Sequence, residues 1–119
     1  MYINQELGRQ GEEFACDYLN NNNYNIIEKN FYCRYGEIDI IAIDLEKEEI
    51  VFFEVKTRRS LRYGKPVDSV TKNKLAHLKN SIKYYIFKKK FNKKFIRVDV
   101  IEVYIDKKKV KINHIKQII

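Results

Sequence analysis

Four side chains in the first half of the chain have the types and spacing from which hydrolytic chemistry can be built: Glu12, Asp39, Glu54 and Lys56. Asp39 lies in the run Gly36-Glu37-Ile38-Asp39-Ile40-Ile41-Ala42-Ile43-Asp44. Glu54 and Lys56 lie in Ile50-Val51-Phe52-Phe53-Glu54-Val55-Lys56-Thr57-Arg58. Both runs have the β-branched and aromatic content of strands. Alternation places Glu37, Asp39 and Ile41 on one face of the first strand. In the second, Phe52, Glu54, Lys56 and Arg58 share a face, and Val51, Phe53 and Val55 line the other. A buried carboxylate is costly unless it is paired or bound to a cation. Two carboxylates on neighbouring strands, ~5 Å apart, repel each other. Mg²⁺ or Mn²⁺ resolves that repulsion with oxygen ligands, and accepts phosphate oxygens as further ligands. The candidate ligands are therefore Asp39, Glu54 and the main-chain carbonyl of Val55. Lys56, on the same face as Glu54, would orient a water and neutralise charge developing at phosphorus. Glu12 would hold a second cation or its water if its helix packs over this face. A Glu-x-Lys tripeptide by itself looks the same as a solvated ion pair; the apolar residues around Asp39 imply burial instead.

The charge is segregated along the chain. The net charge is +8, yet residues 1–55 hold four basic residues against twelve acidic ones. Residues 56–94 hold fourteen basic residues and one acid, Asp68. An acidic cluster followed by a basic third suits a polyanion held beside a carboxylate site. A lysine-rich surface without function would explain the lysine count but not its position. Arg58, Arg59 and Arg62 read equally as phosphate contacts or as solvated loop charges, and Lys72 and Lys74 give the following helix a basic side. Tyr63, in the same loop, is placed to stack on a base.

At 119 residues the chain is expected to form one domain, 1–119. It holds no apolar run of the ~18 residues a membrane span needs, and its opening residues lack a signal-peptide pattern. Cys16 and Cys33 form neither a disulfide framework nor a metal motif. A cytoplasmic protein, without membrane partners, is the expectation.

The elements that must position these residues follow from periodicity. Residues 4–21 read as a helix with Leu7, Gly11, Phe14 or Ala15, and Tyr18 on its apolar stripe. Gly8 and Gly11 suggest close approach to another backbone. Strands are expected at 24–32, 36–43 and 50–57, joined by short connections as an antiparallel meander. A basic loop at 58–67 leads to a helix from Ser69 or Thr71 to Lys88, striped by Leu75, Leu78, Ile82, Tyr85 and Ile86. A strand at 95–105 and a weaker one at 110–119 complete an α-β-β-β-α-β-(β) order. That order is a mixed α+β (α/β) fold with a helix on each side of one sheet. His77 and His114 lack metal-ligand spacing and read as ordinary, Asp99 has no assigned role, and Glu37 reads as a supporting acid rather than a ligand.

A helical Glu, then Asp, then Glu-x-Lys on strands of an α-β-β-β-α-β core resembles the PD-(D/E)xK nuclease superfamily, which includes restriction endonucleases and archaeal Holliday-junction resolvases. Within it, the YraN-like family is the closer match. The resemblance is carried by Gly8-x-x-Gly11-Glu12-x-x-Ala15-x-x-Tyr18-Leu19, by Asn30 and Arg34 before Gly36-Glu37-Ile38-Asp39-Ile40-Ile41-Ala42, and by Val51-Phe52-Phe53-Glu54-Val55-Lys56-Thr57-Arg58. Tyr63-Gly64-x-Pro66, Val70-Thr71-x-x-Lys74 and Arg97-Val98-Asp99-Val100 extend it over nearly the whole chain. The resemblance implies a restriction-endonuclease-like domain with a mixed central sheet. It implies Asp39 and Glu54 as metal ligands, Lys56 as catalytic lysine, Glu12 as the helical acid and Lys74 as a phosphate contact. The implied function is a Mg²⁺- or Mn²⁺-dependent endonuclease acting on DNA in preference to RNA, on branched or structured substrates, as a homodimer by analogy with resolvases. The alternative is a nucleic-acid-binding module that keeps the fold without hydrolysis.

Overall fold

Residues 2–59, 72–90 and 95–119 are described by the structure, a computed structural model. Helix α1 (Tyr2–Asn20) is followed by strands β1 (Tyr24–Cys33), β2 (Gly36–Asp44) and β3 (Glu49–Arg58). Helix α2 (Lys72–Lys89), β4 (Ile96–Asp106) and β5 (Lys109–Ile115) complete the chain. The expected helix cap at Ser69 or Thr71, Arg62 and Tyr63 lie outside the described residues. The five strands form one sheet in sequence order. β1–β2 and β2–β3 are antiparallel hairpins, β3 and β4 pair in parallel across α2, and β5 returns antiparallel. Short connections force antiparallel neighbours, whereas the parallel pair needs the helical crossover. The mixed α+β order read from the sequence is the observed one, and the last strand is shorter than the expected 110–119.

Each face of the sheet carries one helix and one core. Ala15 and Leu19 of α1 pack on Ile40, Ala42, Val51, Phe53, Ile101 and Val103. Leu78, Ile82, Tyr85 and Ile86 of α2 pack on Phe31, Ile38, Ile41, Phe52 and Val98. Phe14 stays 37% exposed, so Ala15 is the residue on the buried stripe. Gly11 faces the side chain of Thr57: a Cβ there would lie 1.9 Å from Thr57 Oγ1. That contact draws α1 down onto the end of β3. Among the described residues, a Cβ at Gly8 would meet nothing within 4 Å, so the close approach expected at both glycines is seen at Gly11.

Arg97 of β4 is 3% exposed and ties the strand ends together. Its guanidinium donates to both Asp99 oxygens (2.9 and 3.0 Å), to Asp44 (2.8 Å), Glu49 (3.0 Å) and the Tyr24 hydroxyl (2.7 Å). Burial disfavours the charge, but the hydrogen bonds it donates to Asp99 and Asp44, together with the Asp99 charge, hold Arg97 above its ordinary value. Burial likewise opposes ionisation of Asp99, yet His114, Arg97 and the Gln117 amide together hold it below the carboxylate range. His114 bridges Asp99 at 2.7 Å and the Tyr18 hydroxyl at 2.8 Å, joining β5 to α1. His114, which reads as ordinary in the sequence, is a structural link.

Candidate metal and phosphate site

The site begins where the sheet stops being regular. The β2–β3 ladder runs from Asp44 opposite Glu49 to Ile40 opposite Phe53. Beyond it, the Val55 amide donates at 2.8 Å to Asp39 Oδ2. A carboxylate oxygen thus takes an amide that strand pairing would otherwise use. The alternation fails at the same point. Ile40 and Ala42 face α1, whereas Ile38 and Ile41 both face α2. Asp39 therefore does not share a face with Ile41, as strict period-two reading expects; it opens into a cleft on the α1 side. Across the β1–β2 hairpin, Ile27 is an extra residue between the pairs Ile26–Ala42 and Glu28–Ile41. Asn30, three residues on, takes a φ of 53°, a left-handed conformation that Asn tolerates better than most residues. Bulges re-aim side chains in this way.

The consequence is a carboxylate cluster. Ligand oxygens of Glu12, Glu37 and Asp39 all lie within 4.8 Å of one another. α1 delivers Glu12, one residue past the Gly11–Thr57 contact, and the Asn30 side chain hydrogen-bonds to it. Glu37 and Asp39 come from the same strand and are hydrogen-bonded to each other. The Asp39 carboxyl is pushed up to about 9: burial is the largest cause, followed by the Glu54 charge and the Glu37 hydrogen bond. Burial also raises Glu12, reinforced by Glu37. The cleft they share, about 330 Å³, is lined by Leu7, Gly8, Glu54, Val55, Lys56 and Thr57 besides Glu12 and Asp39. Oxygen donors at this separation suit a hard divalent cation, whose charge would relieve their repulsion.

Glu54 stands beside this trio rather than within it. Its carboxylate pairs with Lys56 at 3.1 Å. Burial, the largest single effect, works against the Lys56 ammonium, but the Glu54 charge and hydrogen bond, the Lys74 contact and the Asp39 charge together hold Lys56 above its ordinary value. Lys74, from the first turns of α2, brings its ammonium against that of Lys56 and is held below its ordinary value by that contact. Arg58 reaches Glu102 Oε2 at 3.9 Å, and Glu102 is fully buried with Asn113 donating to its other oxygen. Lys72 is exposed at the start of α2. Arg59 lies elsewhere, in a groove with Glu6, Leu7, Gln10 and Ile105 on the α1 side. The structure thus gathers Glu12, Asp39, Glu54, Val55, Lys56 and Lys74, and puts Arg59 in a second groove that shares Leu7 with the cleft.

Two contributors are not among the expected ligands. Glu37, read from the sequence as a supporting acid although alternation puts it on the face of Asp39, sits among the clustered oxygens. Asn30 braces Glu12. A signal for both exists in the sequence: an Asn inside an otherwise regular strand, and three acids at 37, 39 and 54 where apolar residues belong.

The family model "Uncharacterised protein family UPF0102" matches residues 11–103. A UPF0102 protein of Caldicellulosiruptor saccharolyticus is 45% identical over 104 residues, covering 87% of this chain and 86% of the relative. One from Syntrophomonas wolfei is 44% identical over 117 residues, covering 95% and 96%. One from Clostridium botulinum is 50% identical over 103 residues, covering 86% and 82%. Glu12, Asn30, Glu37, Asp39, Glu54, Val55, Lys56 and Lys74 all fall inside the matched span. The chain belongs to the UPF0102 (YraN-like) family, a member of the PD-(D/E)xK-like nuclease superfamily.

Proposed function

We propose that the protein is a Mg²⁺- or Mn²⁺-dependent nuclease that hydrolyses DNA phosphodiester bonds in the cytoplasm. The observation that carries this reading is the meeting of Glu12, Glu37 and Asp39 within 4.8 Å, next to the Glu54–Lys56 pair. Asp39 and Glu54 would hold the cation with the Val55 carbonyl, and Glu37 and Glu12 complete the ring of oxygen donors. A bound divalent cation supplies Lewis acidity toward water and a phosphate oxygen. The protein's own groups do the rest. Lys56, kept cationic by Glu54, stabilises negative charge accumulating at phosphorus in the transition state. Lys74 adds a second ammonium at the same place and fixes the phosphate against the carboxylates. Asn30 holds Glu12 in its rotamer, and the Val55 amide holds Asp39. Lys72 and Arg58 track the backbone on either side.

The family supports the fold and leaves the activity to be measured. Purified protein is incubated with labelled linear, flap and four-way DNA in Mg²⁺ or Mn²⁺. The expected result is cation-dependent cutting, abolished by Asp39→Ala and Glu54→Ala and strongly reduced by Lys56→Ala. Cutting that survives both carboxylate substitutions would identify a contaminant and remove the assignment. Salt-dependent binding without hydrolysis would establish the binding module instead.

A further inference from the structure

Glu37 and Glu54 border a second cavity, of about 310 Å³, that opens between the start of β2 and the first half of α2. Its other walls are Tyr35, Gly36, Lys74, His77, Leu78 and Ser81. The volume lies at the lower end of the ~300–1,000 Å³ occupied by small-molecule sites. Its chemistry is divided. Tyr35 and Leu78 give it an apolar, partly aromatic wall, and Gly36 contributes no side chain: a Cβ there would reach only as near as 3.7 Å to Ser81 Oγ. Ser81, fully buried, closes the floor of the cavity, and its hydroxyl accepts from the Cys33 thiol at 3.5 Å. His77 adds ring nitrogens. At one end stands the ammonium of Lys74, which itself lies against that of Lys56 in the neighbouring cleft, and the two suit an anion. A flat body bearing heteroatoms, joined to an anion, is the shape of a nucleotide.

We propose that this cavity takes the base of an unpaired nucleotide adjoining the phosphodiester held at the carboxylate cluster, so that the substrate is nucleic acid with an unpaired nucleotide at the cut. This rests on the phosphodiesterase reading and specifies its substrate class. The shared rim carries the connection, because Glu54 lines both the cavity and the cleft that contains Asp39. A base in continuous duplex must be unstacked and unpaired to enter, whereas one in a flap, bulge or single strand is already released.

The test is binding in EDTA, independent of hydrolysis. Thymidine 5′-monophosphate, inorganic phosphate and thymidine are titrated by NMR into the full chain. Duplexes with and without one bulged nucleotide are compared by fluorescence anisotropy. The expected result is tighter binding of the nucleotide than of phosphate, and of the bulged than of the continuous duplex. Tyr35→Ala, with its fold verified by circular dichroism, should weaken the nucleotide about 5- to 150-fold, the range of a lost base–aromatic stack, and leave phosphate binding unchanged. Ser81→Leu, which fills the cavity, should act in the same direction. Equal binding of nucleotide and phosphate, or of the two duplexes, overturns the inference, as does nucleotide affinity indifferent to both variants. Intact discrimination without any cutting in Mg²⁺ or Mn²⁺ would refute the nuclease reading and leave the nucleotide site standing.

Discussion

Replacing Arg97 with methionine removes the cation from a buried set of carboxylates while keeping a side chain of comparable length. Arg97 makes five hydrogen bonds, to Asp99, Asp44, Glu49 and Tyr24. Not all of that stabilisation is lost. Asp44 keeps the Glu46 and Lys47 amides at 3.1 and 3.2 Å. Asp99 keeps His114 and the Gln117 amide at 2.7 and 2.9 Å. Glu49, with a side chain 26% exposed, can turn to water. What remains is the cost of leaving Asp99 and Asp44 charged and buried without their cation, about 3–5 kcal/mol. A chain of this length is held by roughly 6–18 kcal/mol, so the variant should still fold at neutral pH with a much lower urea midpoint. Urea unfolding followed by circular dichroism measures the difference. Its pH dependence separates charge from packing. In the native protein Asp44 and Asp99 titrate below their ordinary values, so their contribution is complete above an ordinary carboxylate pKa and is lost as pH falls through the lowered native values. Without Arg97 those values rise, the carboxyls protonate earlier, and the penalty of the variant shrinks on acidification. A loss below ~1 kcal/mol, or one constant between pH 7 and 4, would refute the view that Arg97 acts by neutralising buried carboxylates.

Gly11→Ala should destabilise by about 1–3 kcal/mol through overpacking. Thr57→Ala removes the two atoms that the new Cβ would meet at 1.9 and 2.7 Å, so the pair should be non-additive in a double-mutant cycle by at least ~0.5 kcal/mol; additivity would exclude the contact. Asp39 titrates near 9 in the folded chain against 3.8 ordinarily. The folded state therefore retains a proton over that interval, and stability without added cation should fall as pH rises through it. Asp39→Asn should flatten that fall, raise the melting temperature at neutral pH and abolish stabilisation by Mn²⁺. Identical pH profiles for the two proteins would contradict the environment described for Asp39. Lys74→Ala should lower the slope of log K against log salt for DNA binding by about 0.7–0.9 if the lysine neutralises one phosphate, and Lys72→Ala is measured alongside it; an unchanged slope removes that lysine from the interface.

Much of the fold can be read from local pattern, because its elements are short and strongly periodic. The three-strand meander follows from brief connections, and the two helices from stripes such as Leu78, Ile82 and Tyr85–Ile86. Strand periodicity misleads at Asp39. One extra residue at Ile27 and one left-handed residue at Asn30 displace the hairpin by a step, and period-two logic then assigns Asp39 to the face of Ile41. The Arg97 set is illegible for another reason. Its partners at 24, 44, 49 and 99 sit on four strands, and only sheet order brings them together. Asp39, Glu54 and Lys56 were legible as a site because each violates an apolar strand, a signal that survives an error in facing.

The bulge on β1 has a consequence for assembly. β1 and β5 are the edges of the sheet, where unpaired amides and carbonyls can recruit another chain's strand. The irregularity at Ile27 and the turned backbone at Asn30 interrupt that row on β1, and exposed Lys109 and Lys111 charge the row on β5. The device that braces Glu12 thereby also discourages the sheet from extending into a neighbour, so a second copy would dock through side chains rather than by a continuous intermolecular ladder.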